Sequence, residues 1–101
     1  MKVTAVDLDE AEIQDIFERA SYACRDWAKT RMSGREQISF RHADGEDALT
    51  PALIRHGVCL ALTHSEHVAK QAAGATHLGF VDSIAVDFIV QYALFESIIY
   101  G

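Results

Sequence analysis

The sequence predicts an all-α fold, a compact bundle of three to four helices around a long, mostly buried C-terminal helix, with an irregular segment over 33–49. Three observations carry that reading. Half of the 101 residues are hydrophobic against one proline and six glycines, so the chain has material for a single core and little for linkers. Helix-start signals recur at Asp9, Thr50 and Thr63, each a side chain able to accept from the backbone N–H groups that a first helical turn leaves unpaired. The run GFVDSIAVDFIVQYALFESIIY over 79–100 is apolar around most of a helical circumference, and such a helix must be covered on several sides.

The first helix is expected over about 10–32. Asp9 is its N-cap, Glu12 completes a capping box, and Leu8 and Ile13 can close a hydrophobic staple. Ile13, Ile16, Phe17, Ala20, Cys24, Trp27 and Ala28 then recur at helical spacing up to Met32, and Ser33-Gly34 ends the pattern. Charge is sorted along this stretch, with Asp9, Glu10, Glu12, Asp15 and Glu18 early and Arg25, Lys29 and Arg31 late. The helix dipole favours that order.

Residues 35–49 break the helical period. Ile38, Phe40 and His42 alternate, which fits a short extended segment with anchored side chains, and Asp44-Gly45 marks a turn. Connections of this length in so small a chain often carry function. Thr50-Pro51 opens a second helix, with proline at the first position where its missing N–H costs nothing. Thr63 with Glu66 is read as the capping box of a third helix running to Gly74, and Thr76 as the cap of the last. That last helix, about 22 residues and roughly 33 Å long, places Val81, Ile84, Phe88, Tyr92, Phe95 and Ile99 on its main apolar face. Ser83, Asp87 and Gln91 form a polar stripe. Val86, Val90, Leu94 and Ile98 make a second apolar set, from which a homodimer through the C-terminal helix is expected. The whole of 1–101 reads as one helical domain.

Composition narrows function by exclusion. A net charge of −6 is wrong for a general nucleic-acid binder. Cys24 and Cys59 lie in apolar periodic stretches and read as reduced, buried thiols of a cytoplasmic protein. The N-terminal residues lack the apolar core of a signal peptide, and Asp82, Asp87 and Glu96 interrupt the most hydrophobic run before it reaches membrane-spanning length. No phosphate loop, nucleophile elbow, zinc helix or C-x-x-C pair is present. The expected function is therefore a non-enzymatic inhibitor or adaptor, without cofactor, that engages a basic protein partner through Asp9, Glu10, Asp15, Glu18, Asp44, Glu46 and Asp47. Small acidic chains of this kind suit phages and mobile elements. The competing reading is a metal-binding regulator or metal-dependent enzyme, because His42, Asp44, Glu46, His64 and His67 have the ligand chemistry for zinc, iron or manganese. It requires the 35–49 segment to fold back over the start of the third helix.

Overall fold

The structure, a computed structural model, describes residues 10–33, 36–73 and 82–100. Within them lie four helices and a three-stranded antiparallel sheet: α1 (Glu10–Ala23), β1 (Lys29–Met32), β2 (Ile38–His42), β3 (Gly45–Leu49), α2 (Pro51–His64), α3 (Glu66–Ala73) and α4 (Ser83–Phe95). The sheet order is β1-β2-β3. The chain is thus α/β, and the all-α helical bundle with an irregular 33–49 segment is overturned.

The correction begins at the end of α1. Its apolar positions Ile13, Ile16, Phe17 and Ala20 are buried as their spacing implies, yet the helix stops at Ala23. Beyond it the backbone tightens, with Arg25 N–H donating to Tyr22 O and Trp27 N–H to Cys24 O, three residues back in each case. The chain then extends into β1. Cys24, Trp27 and Ala28 do face the core, but from a turn, so their apparent helical period was coincidental. The capping box and staple at Asp9 and Leu8 lie outside the described residues.

In the sheet, alternation decides which side is buried. Met32, Ile38 and Leu49 stand in register, as do Thr30, Phe40 and Asp47, and Ile38, Phe40 and Leu49 join the core cluster that the helices share. Lys29, Arg41 and Glu46, and Arg31, Ser39 and Ala48, share the opposite, outer face. The β2–β3 hairpin turns at Ala43-Asp44, and Gly45 follows at φ 139°, a conformation that L side chains rarely adopt.

The helix start at Thr50-Pro51 stands as read: Thr50 Oγ1 accepts from Leu53 N–H at 3.3 Å. The next boundary moves by two residues. α2 continues to His64, and Ser65 caps α3 by accepting from Val68 N–H at 3.3 Å, while Thr63 donates back to Cys59 O. His64 and His67 therefore sit on different helices. The proposed cap at Thr76 lies outside the described residues. The N-cap seen on α4 is Asp82, whose Oδ1 accepts from Ala85 N–H at 2.8 Å.

α4 is shorter than the 79–100 run suggested, and its faces are assigned differently. Ala85, Val86, Ile89, Val90 and Ala93 are buried, whereas Ile84 is 55% exposed. The supposed second apolar set thus begins with two residues, Val86 and Val90, that the chain's own core covers. α2 lies against α4 closely enough that a Cβ at Gly57 would meet Ile89 O and would stand 2.8 Å from Ala93 Cβ.

Two predictions follow from this packing. Gly57→Ala forces α2 away from backbone atoms that cannot yield, so urea unfolding should show a loss of about 1–3 kcal/mol although alanine is the better helix former. At Asp82, burial alone would raise the pKa, but the Ala85 N–H, His67 and Gln71 outweigh it and hold the carboxyl below its ordinary value. A depressed folded-state value means that this stabilisation is present above the unfolded pKa of about 3.9 and is lost as pH falls through the folded one. Asp82→Asn keeps a capping acceptor, so its stability should fall less steeply than the parent's in acid titration below about pH 4.

Candidate functional site

The densest chemistry gathers where the turn after α1, the β2–β3 hairpin, α4 and the segment after it meet. Glu96 ends α4 in the left-handed region, at φ 59° and ψ 16°, with its N–H on Tyr92 O. This reverses the chain, and residues 97–100 return toward the middle of α4. There Gln91, 0% exposed, receives them. Its Oε1 accepts from Ile99 N–H and Tyr100 N–H, each at 2.9 Å, and its Nε2 donates to Tyr100 O at 2.9 Å and to Asp87 Oδ1 at 3.0 Å. Asp87 Oδ1 also accepts from Trp27 Nε1 at 2.7 Å and from the Cys24 thiol at 3.7 Å. Asp87 and Gln91, two members of the polar stripe, bond within the chain and organise this end of the molecule.

Aromatic rings close over those bonds. Trp27 and Tyr100 stack with centroids 4.8 Å apart and planes 5° from parallel. Phe40 stacks against Trp27, and Phe95 meets Trp27, His42 and Tyr100 edge-on. His42 lies within this cage with its side chain 3% exposed. Its Nε2 is 2.6 Å from Asp47 Oδ2, and its Nδ1 is 2.9 Å from Tyr100 Oη and 3.3 Å from the Asp44 N–H. Tyr100 in turn donates to Asp44 Oδ2 at 2.7 Å. Both ring nitrogens of His42 are thus engaged within the chain.

The environment shifts two ionisable groups. Burial, reinforced by the charge and hydrogen bond of Asp87, pushes the Cys24 thiol far above its usual value, so it stays protonated and unreactive at neutral pH. Tyr100 is raised by burial first, and then by its hydrogen bond to Asp44 and the charges of Asp44 and Asp47. Neither Cys24 nor Cys59 forms a disulfide.

A second feature flanks the cage. The outer sheet face presents Lys29, Arg31 and Arg41, which form no ion pair among the described residues. Two shallow hollows, of about 580 and 410 Å³, share Lys29 and Arg41. On a chain of net charge −6 this face has the opposite sign, and the sequence reading, which assigned Lys29 and Arg31 to a helix end and left Arg41 in the segment after it, missed it. Strand alternation of Lys29 with Arg31 was the available signal.

The residues expected to bind a partner separate into groups. Glu10 faces Arg55 at 3.2 Å, Asp15 faces Arg19 at 3.5 Å, and Glu18 accepts from Gln14 at 3.1 Å, all on the outside of α1. Asp44 and Asp47 are tied to Tyr100 and His42, Glu46 stands on the outer sheet face, and Asp9 is outside the described residues. The metal constellation does not assemble. His64 stacks near Tyr92 and His67 bonds Asp82, and among the described residues no three His, Cys, Asp or Glu side chains are placed to hold a metal ion. No described helix is long and apolar enough to cross a membrane.

The class that fold and site define is an α/β domain with a clasped C-terminal segment and one cationic sheet face. Comparison with known families, curated proteins and solved structures finds no match.

Trp27 is the only tryptophan, so its emission reads the clasp directly. Gln91→Leu leaves the Ile99 and Tyr100 amides without an acceptor, at a cost of about 1–3 kcal/mol each if they stay buried, and should release the segment and unstack Tyr100. In the parent the same release is expected in alkali. A raised folded-state value means that the Tyr100 contribution is present below the unfolded pKa of about 10 and lost as pH rises through the folded one. Tyr100→Phe should abolish that fluorescence transition.

Proposed function

We propose that the chain is a non-enzymatic interaction protein of the cytoplasm, an adaptor or inhibitor that recognises a basic surface on a protein partner through the exposed side of α1. The observation that carries this reading is the segregation of charge. Glu10, Glu12, Asp15 and Glu18 gather on α1, with Arg19 beside Asp15 and Arg55 of α2 beside Glu10, whereas Lys29, Arg31 and Arg41 lie on the outer sheet face with Glu46. A surface of one sign steers an oppositely charged partner into encounter and rejects like-charged ones. Of the hairpin acids, Asp44 and Asp47 serve the clasp, and Glu46 lies on the outer sheet face opposite Arg41. A homodimer through the C-terminal helix would rest on Ile84, Ile98 and Ile99, the exposed aliphatic side chains of α4 and the segment after it.

Affinity capture from the native host, compared between the parent and a Glu10→Gln, Asp15→Asn, Glu18→Gln variant, tests the α1 surface. These substitutions keep hydrogen-bonding capacity and remove charge, so the fold should be retained while specifically captured proteins are lost. Raising the salt to about 1 M, where the screening length falls to about 3 Å, should release the same proteins from the parent. An identical captured set from parent and variant at every salt concentration would overturn the reading.

A further inference from the structure

The edge of the sheet is defined by β1. It pairs with β2 on one side, and among the described residues no strand lies on the other. The Ser33 N–H donates to Gln37 O at 2.8 Å, and this pair continues the register of Lys29 with Arg41 and Arg31 with Ser39. In an antiparallel ladder, hydrogen-bonded and non-bonded pairs alternate. Lys29, Arg31 and Ser33 therefore turn their backbone groups toward β2. Thr30 and Met32 turn theirs outward, and among the described residues no hydrogen bond reaches them from that side.

The side chains beside this open edge have opposite characters on the two faces. On the outer face stand Lys29 and Arg31, with Arg41 and its register partner Glu46 behind them, around the hollow of about 580 Å³; the two bases of β1 lie nearest the edge. On the other, Met32 is 55% exposed beside Thr30. A bare edge normally risks pairing with its own kind. Here two copies of β1 would bring Lys29 and Arg31 of one against those of the other, and like charges across a strand pair are destabilising. The edge is closed to a second copy and open to a strand of opposite charge.

We propose that β1 docks an extended segment of a partner protein whose residues alternate acidic and apolar, and that this segment joins the sheet as a fourth strand. Its main chain bonds to the outward N–H and C=O groups of Thr30 and Met32. Its carboxylates meet Lys29, Arg31 and Arg41, and its apolar side chains cover Met32. Strand addition of this kind draws affinity from the main chain and specificity from alternate side chains. The inference rests on the reading of the chain as an interaction protein but uses a surface separate from α1.

The probe is a fluorescein-labelled octapeptide of alternating Glu and Val. It should bind the parent, and amide hydrogen exchange at Thr30 and Met32 should slow on binding. Lys29→Glu with Arg31→Glu should weaken it on the order of tenfold or more, as should methylation of alternate peptide nitrogens that face β1. Thr30→Pro removes one outward donor without touching the β1–β2 ladder, and should weaken binding without altering the circular dichroism of the free protein. The Glu10→Gln, Asp15→Asn, Glu18→Gln variant should bind the peptide as the parent does, so loss of α1 capture and loss of peptide binding remain distinguishable. Absence of binding, or binding indifferent to nitrogen methylation, would overturn the proposal. So would a single-stranded oligonucleotide that displaced the peptide and bound more tightly, since that would assign the cations to phosphate.

Discussion

A buried glutamine amide has four hydrogen-bonding positions, and each left empty in a low-dielectric interior costs about 1–3 kcal/mol. Gln91 fills all four: two with the amides of Ile99 and Tyr100, one with the Tyr100 carbonyl and one with Asp87. The last of these matters beyond the helix. Asp87 holds the Trp27 indole, Trp27 stacks on Tyr100 and Phe40, and Tyr100 and Asp47 between them hold His42. A polar pair on one helix thereby joins the turn after α1, the hairpin and the returning segment. Satisfied polar networks of this sort tolerate little rearrangement, because a partner lost from one bond leaves a buried group unpaired.

That network also explains where sequence reading succeeded and where it failed. Local chemistry was legible. Thr50-Pro51 starts a helix because cap and proline act within one turn, and the alternation of Ile38, Phe40 and His42 marks β2 because side-chain direction in a strand depends on nothing else. Tertiary contacts were not. Cys24, Trp27 and Ala28 prolong the apolar period of α1 and look helical, but Trp27 is drawn to Asp87, 60 residues away in sequence, and the chain leaves the helix to let it reach. Lys29 and Arg31, once counted as a dipole-matched helix end, thereby become the same face of a strand.

The same long-range contacts changed the meaning of one side of the C-terminal run, its polar stripe. Its apolar circumference was taken to need wrapping by other helices or a second copy. In the structure α2, α1 and β3 cover it from within the chain, and its polar stripe is covered as well, by the returning segment. Composition alone cannot separate these cases, since a glutamine facing water and one facing two backbone amides occupy the same helical position. Glu96 supplies the reversal from an unfavourable left-handed conformation, which its amide bond to Tyr92 O and its carboxylate contact with His56 at 3.1 Å help to hold.

Exposed charge and the buried network consequently draw on different residues. His42, Asp44 and Asp47, chemically the most suggestive of the hairpin, are committed to the clasp around Tyr100, so of that loop's acids Glu46 alone stands on the outer sheet face. Exposed charges stand on α1, which gives Ile13, Ile16, Phe17 and Ala20 to the core from its other side, and on β1, which among the described residues is held in the sheet by β2 alone. Charge substitutions on such faces leave the buried contacts intact, because the Gln91 clasp and the α2–α4 contact at Gly57 keep the fold. A cationic strand edge on an otherwise acidic chain persists without internal neutralisation because both faces of β1 remain solvated, and the same solvation leaves its outward backbone groups available to another chain.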